Sequence, residues 1–301
     1  MAWYVILAVL VGSYYLLPIP VAQAILVLAR RLAGLQRKTL RVGAHDIVYL
    51  EAGTGAQTIL LVHGFSGAKE QWLRWASLLK GYRVVIPDLL GHGESSKPHD
   101  GGYDIASQVA LLHQFTQALG LTRFHIAGNS MGGRIAASYA LHHPQQLRSL
   151  ALLAASGVKP LQPSVLEKMH QRGEPLFVVG SRKDMRFWLE MAFSKVPFTP
   201  YPLFELAYQT ARAQQQWNQK MLAQILPDAY TLEPDLPRIA TPTLVLWGSD
   251  DRLLDISSVP VYARGLPQQQ TVVLQHCGHC PMLEQPQQSA SAYLDFLKPL
   301  S

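Results

Sequence analysis

The stretch Phe124-His125-Ile126-Ala127-Gly128-Asn129-Ser130-Met131-Gly132-Gly133 reads as a strand that runs into a tight turn and then a helix. The residues before the turn are short and mostly apolar, and helical spacing takes over from Gly132 to Leu141. Glycine two positions before and two after the serine leaves room for close backbone approach. A bare Gly-x-Ser-x-Gly arises by chance, but between a strand and a helix it marks a nucleophile elbow, with Ser130 as the nucleophile.

Outward from the elbow the pattern alternates. Asp46–Ala52, Thr58–Val62, Tyr82–Pro87 and Leu147–Leu153 are strand-like, whereas Glu70–Leu79 and Val109–Leu119 have helical spacing. Alternation of this kind predicts an α/β fold, a mostly parallel sheet with helices on both faces. It stops near Gly157, resumes at Thr243–Trp247 and Thr271–Leu274, and closes with a helix around 290–297. The stretch between, 158–236, shows no strand pattern and holds four of the seven methionines (Met169, Met185, Met191 and Met221) among clustered aromatics. Prolines at 197, 200 and 202 break it into short helices. It reads as an inserted helical cap, some of whose apolar side chains line a substrate pocket. The expected organisation is an anchor and basic collar over 1–40, the first part of the core domain over 41–157, a cap over 158–236 and the second part of the core over 237–301.

A serine hydroxyl at neutral pH needs a base, and the base an orienting acid. In this architecture the chain order is Ser, acid, His. His279, in Cys277-Gly278-His279-Cys280 just past the last strand, is the candidate base. A single Cys-x-x-Cys lacks the second ligand pair of a structural zinc site, so no metal is expected. The acid lies in the loop after Thr243–Trp247, where Asp250, Asp251 and Asp255 compete and spacing does not choose among them. The oxyanion hole needs two backbone N–H groups: one from Met131, after the nucleophile, and one from Phe65, after the strand ending at His63. His63 itself reads as a structural hydrogen-bonding residue. Gly91-His92-Gly93 lacks the phosphate-loop lysine and reads as a turn.

The 301 residues are 49% apolar and 15% charged, enough for a buried core and unlike a disordered chain. The formal charge of +6 is local. Residues 1–45 carry Arg30, Arg31, Arg37, Lys38 and Arg41 and no acid, leaving 21 cations against 20 acids in the rest. A basic collar on one segment is not the basic face of a nucleic-acid binder, so no nucleic-acid partner is expected. No charged side chain occurs from Ala2 to Ala29, long enough to cross a bilayer, although Pro18 and Pro20 interrupt it. It is expected to be an uncleaved membrane anchor: 2–17 inserted, 21–35 a second helix near the headgroups. The arginines after it put the catalytic domain on the cytoplasmic face, with the collar against anionic lipid.

From about residue 40 onward the chain resembles the α/β-hydrolases. The matching pieces are His63-Gly64-Phe65, the run Pro87–Ser95, the Gly128–Gly132 elbow, Trp247–Arg252 and Gly278-His279. Within that family it is similar to the bacterial family-five lipases, through Asn129–Gly133 and Asp88–Pro98, and to the membrane-anchored monoacylglycerol lipase of the animal α/β-hydrolase-domain proteins, through the anchor, the segment Phe193–Pro197 and the run Trp247–Glu284. The resemblance implies the α/β-hydrolase fold, Asp251 as the acid, a cap after the sixth strand, Phe65 as oxyanion donor and no cofactor. The substrate it implies is a lipid or other small ester, acylglycerols foremost. Two alternatives carry their own discriminators. Carbon–carbon bond hydrolases and soluble carboxylesterases share the elbow and would prefer polar substrates. A non-catalytic binding protein would not be labelled at Ser130 by a fluorophosphonate; a ligand-binding protein that hydrolyses its ligand slowly is the remaining alternative.

Overall fold

The computed structural model describes Trp3 and residues 11–300. Eight strands form one sheet: β1 (Gln36–Val42), β2 (His45–Ala52), β3 (Thr58–Val62), β4 (Arg83–Pro87), β5 (Phe124–Asn129), β6 (Leu147–Leu153), β7 (Thr243–Gly248) and β8 (Gln269–Leu274). Their order is β1-β2-β4-β3-β5-β6-β7-β8. The pairs β1–β2 and β2–β4 are antiparallel and all others parallel. The central strands β3, β5 and β7 are buried along their whole length, which is why they read as apolar runs without alternation.

Helices cover both faces. On one, α3 (Ile105–Ala118), α4 (Met131–His142) and α9 (Val259–Gly265) pack on Leu60, Val62, Val85, Ile126, Leu152 and Trp247. On the other, α2 (Leu73–Ala76) and α11 (Pro286–Leu297) pack on Ile59, Leu61, Ala127 and Leu246. There Trp75 stacks on Tyr293 at 5.0 Å and donates to Ser289 Oγ at 3.0 Å. The helix expected over 70–79 is instead a 3-10 turn, Lys69–Trp72, followed by the single turn α2.

Between β6 and β7 lie α5 (Val165–Gln171), α6 (Arg182–Ala192), α7 (Tyr201–Ala213) and α8 (Gln215–Ile225), with no strand among them. Ser181 and Asp184 form a capping box at the start of α6, and Pro202 opens α7 where a missing N–H costs nothing. Arg182 pairs with the buried Glu205 through two bonds of 2.9 and 3.0 Å, fastening α6 to α7.

The amino-terminal segment departs from expectation. Among the described residues no helix is long and apolar enough to cross a membrane. The chain leaves helical geometry at Leu17 (φ −126°, ψ 54°), and a fresh helix, α1 (Pro18–Leu32), starts on Pro18. Proline suits that first position but cannot continue a helix from the preceding turn. The rest of the expected inserted part, 2 and 4–10, lies outside the described residues. α1 packs on α7, Tyr14 OH accepts the Tyr201 N–H at 2.9 Å, and Leu26 and Ala29 reach the core under α2. Gln36–Val42, which takes in the end of the collar, forms the strand β1.

The collar's charge is also largely answered within the protein. Arg30 pairs with Glu70 and, at 3.4 Å, Glu94; Arg37 reaches Glu94 at 2.5 Å, Lys38 reaches Glu51 at 2.6 Å and Arg41 reaches Asp46 at 3.0 Å. At the centre of the first group is the fully buried Lys69, 2.6 Å from Asp88 Oδ2 and 3.1 Å from Glu94. Asp88 also accepts the N–H groups of Lys69 and Glu94, each at 2.8 Å. Burial opposes the lysine's charge, but Asp88 and Glu70 outweigh it and hold its pKa above the ordinary value.

Candidate active site

The elbow is built as tightly as its glycines imply. Ser130 has φ 56° and ψ −123°, a strained backbone for a residue with a side chain. A Cβ on Gly128 would lie 2.1 Å from Gly132 O, and one on Gly132 2.3 Å from Val62 O. The loop after β3 closes on the serine, so that a Cβ on Gly64 would come within 3.1 Å of Ser130 Cβ. Ser130 therefore stands at the carboxyl end of β5, between the β3 loop and the start of α4. Met131 opens α4, where its N–H lies among the first-turn donors that a helix leaves free.

His279 Nδ1 donates to Asp251 Oδ2 at 2.8 Å, both side chains almost wholly buried. Asp251 Oδ1 accepts the N–H groups of Leu253 and Leu254 at 2.9 and 3.0 Å. The carboxylate is thus held by three donors, and the ring keeps Nε2 for other work. The other two aspartates are occupied elsewhere. Asp250 accepts hydroxyls from Ser194 at 2.6 Å and Ser249 at 2.7 Å, which hold its carboxyl below the ordinary value. Asp255 caps the 3-10 turn Ile256–Ser258 through the Ser257 N–H at 2.9 Å. Asn129, which the sequence reading passed over, links the elbow to the His279 loop: its Nδ2 donates to Leu153 O and to His279 O, each at 3.0 Å. A polar residue at the end of a buried strand is the signal, since such a group must find partners.

His63 is locked under the β3 loop. Its Nε2 accepts the Leu89 N–H at 3.0 Å and its Nδ1 donates to Gly64 O at 2.8 Å. Burial pushes its pKa down and keeps the ring neutral, so it shapes the loop that carries Phe65. His92 packs edge-on to it at 5.1 Å and is pushed down to about 3, mainly by burial. Gly91-His92-Gly93 is a turn, with left-handed glycines at φ 84° and 49°.

In the loop after β3, the Phe65 ring meets Phe177 of the 158–236 segment at 5.2 Å, and Phe177 stacks on Trp188 at 4.9 Å. Phe177 holds φ 55°, strain that a bulky residue carries only where its surroundings impose it. Met169, Leu176 and Leu222 complete this apolar group. Cys277 and Cys280 are free, and burial pushes the Cys277 thiol up to about 12 and the Cys280 thiol up as well. Both are protonated packing groups at neutral pH. Among the described residues no group of three or more His, Cys, Asp or Glu could hold a metal ion.

A family model described as the alpha/beta hydrolase fold matches residues 57–187 and 194–286, which take in Ser130, Asp251 and His279. The chain belongs to the α/β-hydrolase fold family. This hydrolase is 34% identical to lipase 1 of Psychrobacter immobilis, over 93% of its own length and 90% of that protein's. It is 30% identical to monoacylglycerol lipase abhd6-B of Xenopus laevis, covering 90% and 85% of the two chains. It is also similar to the crystal structure of a membrane phospholipase A described as a bacterial virulence factor, at 40% identity and a TM-score of 0.92, covering 99% and 97%. The hydrolase is thus lipase-like across its length.

Proposed function

We propose that this hydrolase is a serine esterase of glycerolipids, cleaving the acyl–glycerol ester and acting on monoacylglycerols in particular. Ser130 Oγ attacks the ester carbonyl while His279 Nε2 takes its proton. Asp251 holds the imidazole in the required tautomer and stabilises the charge that forms on it. The Phe65 and Met131 N–H groups receive the oxyanion. His279 returns the proton to the leaving alkoxide, and a water activated by the same ring releases the acyl group from Ser130. No cofactor is required for these steps.

The observation that carries the reading is the 2.8 Å His279–Asp251 bond, with the His279 carbonyl held at 3.0 Å by Asn129, the residue before the strained Ser130. Named lipases supply the substrate class. Monoacylglycerol lipase and phospholipase A differ in the alcohol they would release, but an acyl ester of glycerol is common to both. The aromatic group Phe65–Phe177–Trp188 is an apolar surface suited to the acyl chain. The test is turnover of monoacylglycerols beside p-nitrophenyl esters of graded chain length. Preference for monoacylglycerol supports the reading, and turnover of short soluble esters alone removes the lipid part of it.

The same reading places the hydrolase against a lipid surface. Leu16, Leu17, Val27, Leu28 and Leu32 leave an apolar stripe exposed along the amino-terminal helices. The cap continues it with Val196 and with Phe198, which is 92% exposed. Tyr201, soon after Phe198, lies 5.6 Å from Tyr15, so the two surfaces adjoin. Burying a phenyl ring contributes about 1.5–3 kcal/mol. Phe198→Asp is therefore expected to weaken co-sedimentation with phosphatidylcholine vesicles by about tenfold or more. Turnover of a soluble short ester should stay at the wild-type rate; unchanged vesicle binding would remove Phe198 from the lipid-facing surface.

A further inference from the structure

The short helix α10 (Pro281–Glu284) follows the His279 loop and ends on a half-buried carboxylate that serves two separate parts of the chain. Glu284 Oε2 accepts the Gly278 N–H at 2.7 Å and the Ser194 N–H at 3.2 Å, and Oε1 accepts the Lys195 N–H at 2.8 Å. Gly278 immediately precedes His279, while Ser194 and Lys195 are the cap's exit from α6. One carboxylate therefore joins the base loop to the cap.

The cap touches that loop directly as well. The His279 N–H donates to Ala192 O, the last residue of α6, at 2.8 Å. A Cβ on Gly278 would lie 2.6 Å from Ala192 O and 2.7 Å from Ser194 N, so the two backbones are in contact. Ser194 Oγ reaches Asp250 on the acid's loop, and Arg252 Nη1 reaches Glu190 O of α6 at 3.1 Å. His279 is thus fixed at its N–H by the cap, at its carbonyl by Asn129 and at Nδ1 by Asp251. The fourth tie, at the preceding residue, is Glu284.

We propose that Glu284 is a positioning residue for the reaction: by accepting N–H groups from both Gly278 and the Ser194–Lys195 segment, it makes the placement of His279 depend on how the cap is seated. An ionised carboxylate offers two acceptor oxygens and no donor, which suits three converging N–H groups. Glutamine keeps the length but turns an NH2 donor toward one of them. The proposal rests on the reading of Ser130, His279 and Asp251 as the reacting set.

The test compares wild type, Glu284→Gln, Glu284→Asp and Ser130→Ala on a p-nitrophenyl ester. Beside it, proton NMR follows the low-field resonance of the His279–Asp251 hydrogen bond. A small displacement of a catalytic group can cost roughly a hundredfold in rate. Glu284→Gln is expected to lose that order in kcat with KM within about threefold. The low-field resonance should broaden or vanish while the thermal midpoint stays near wild type. Wild-type kcat with an intact resonance in Glu284→Gln overturns the proposal, as does a variant that loses only thermal stability. If Glu284→Gln does not fold, Glu284→Asp decides, because it keeps the charge but shortens the reach to the three N–H groups. A smaller drop in kcat with a disturbed resonance supports the coupling, and wild-type values overturn it. Normal turnover by Ser130→Ala would instead remove the reacting set itself; a dead Ser130→Ala beside a normal Glu284→Gln removes only the role of Glu284.

Discussion

Ser130→Ala is expected to lower kcat by about 10⁶-fold, the scale at which losing a serine nucleophile removes the covalent route altogether. The fold should survive. The backbone ties of Ser130, its N–H to Leu153 O at 3.0 Å and its carbonyl to the Arg134 and Ser156 N–H groups at 3.1 Å, do not involve the hydroxyl. Alanine carries the same Cβ into the same left-handed turn, so the strain at φ 56° is unchanged. Steady-state turnover together with a thermal melt checks both halves. A variant that stays within tenfold of wild type would mean that another group attacks the substrate.

The largest expected loss of stability is at Lys69. Replacing it with methionine of similar length leaves the Asp88 carboxylate fully buried with only its two backbone N–H bonds. Removing one partner of a buried ion pair typically costs about 3–5 kcal/mol, because the remaining charge is left uncompensated. Glu94 and Glu70 lose a cation at the same time. Urea unfolding measures this directly as a fall in midpoint at constant slope. A loss below about 1 kcal/mol would show that the Lys69 site relaxes or admits solvent.

The central sheet and the elbow were legible in the sequence because buried parallel strands must be apolar on both faces and a nucleophile turn must be lined by glycine. The edge was not. β1 reads Gln-Arg-Lys-Thr-Leu-Arg-Val, exposed over most of its length, and an edge strand that must stay soluble carries charges that mimic a linker. Nor did the sequence show that the collar's cations would face Glu51, Glu70 and Glu94, since only folding brings residues so far apart in the chain together. The three neighbouring aspartates were indistinguishable by spacing for a related reason. Ser194 of α6–α7 takes Asp250, a local turn takes Asp255, and Asp251 is left facing His279. Asn129 stands out only as a polar residue ending a buried strand, and Glu284 not at all, because both bond to backbone of other segments and backbone partners are not written in the sequence.

The most direct test of the account is mass spectrometry of the protein quenched during turnover of a monoacylglycerol. One added acyl chain, of the substrate's length, is expected on the peptide that contains Ser130, and none in Ser130→Ala. Turnover with the acyl group on another residue, or with Ser130 never modified, would contradict it.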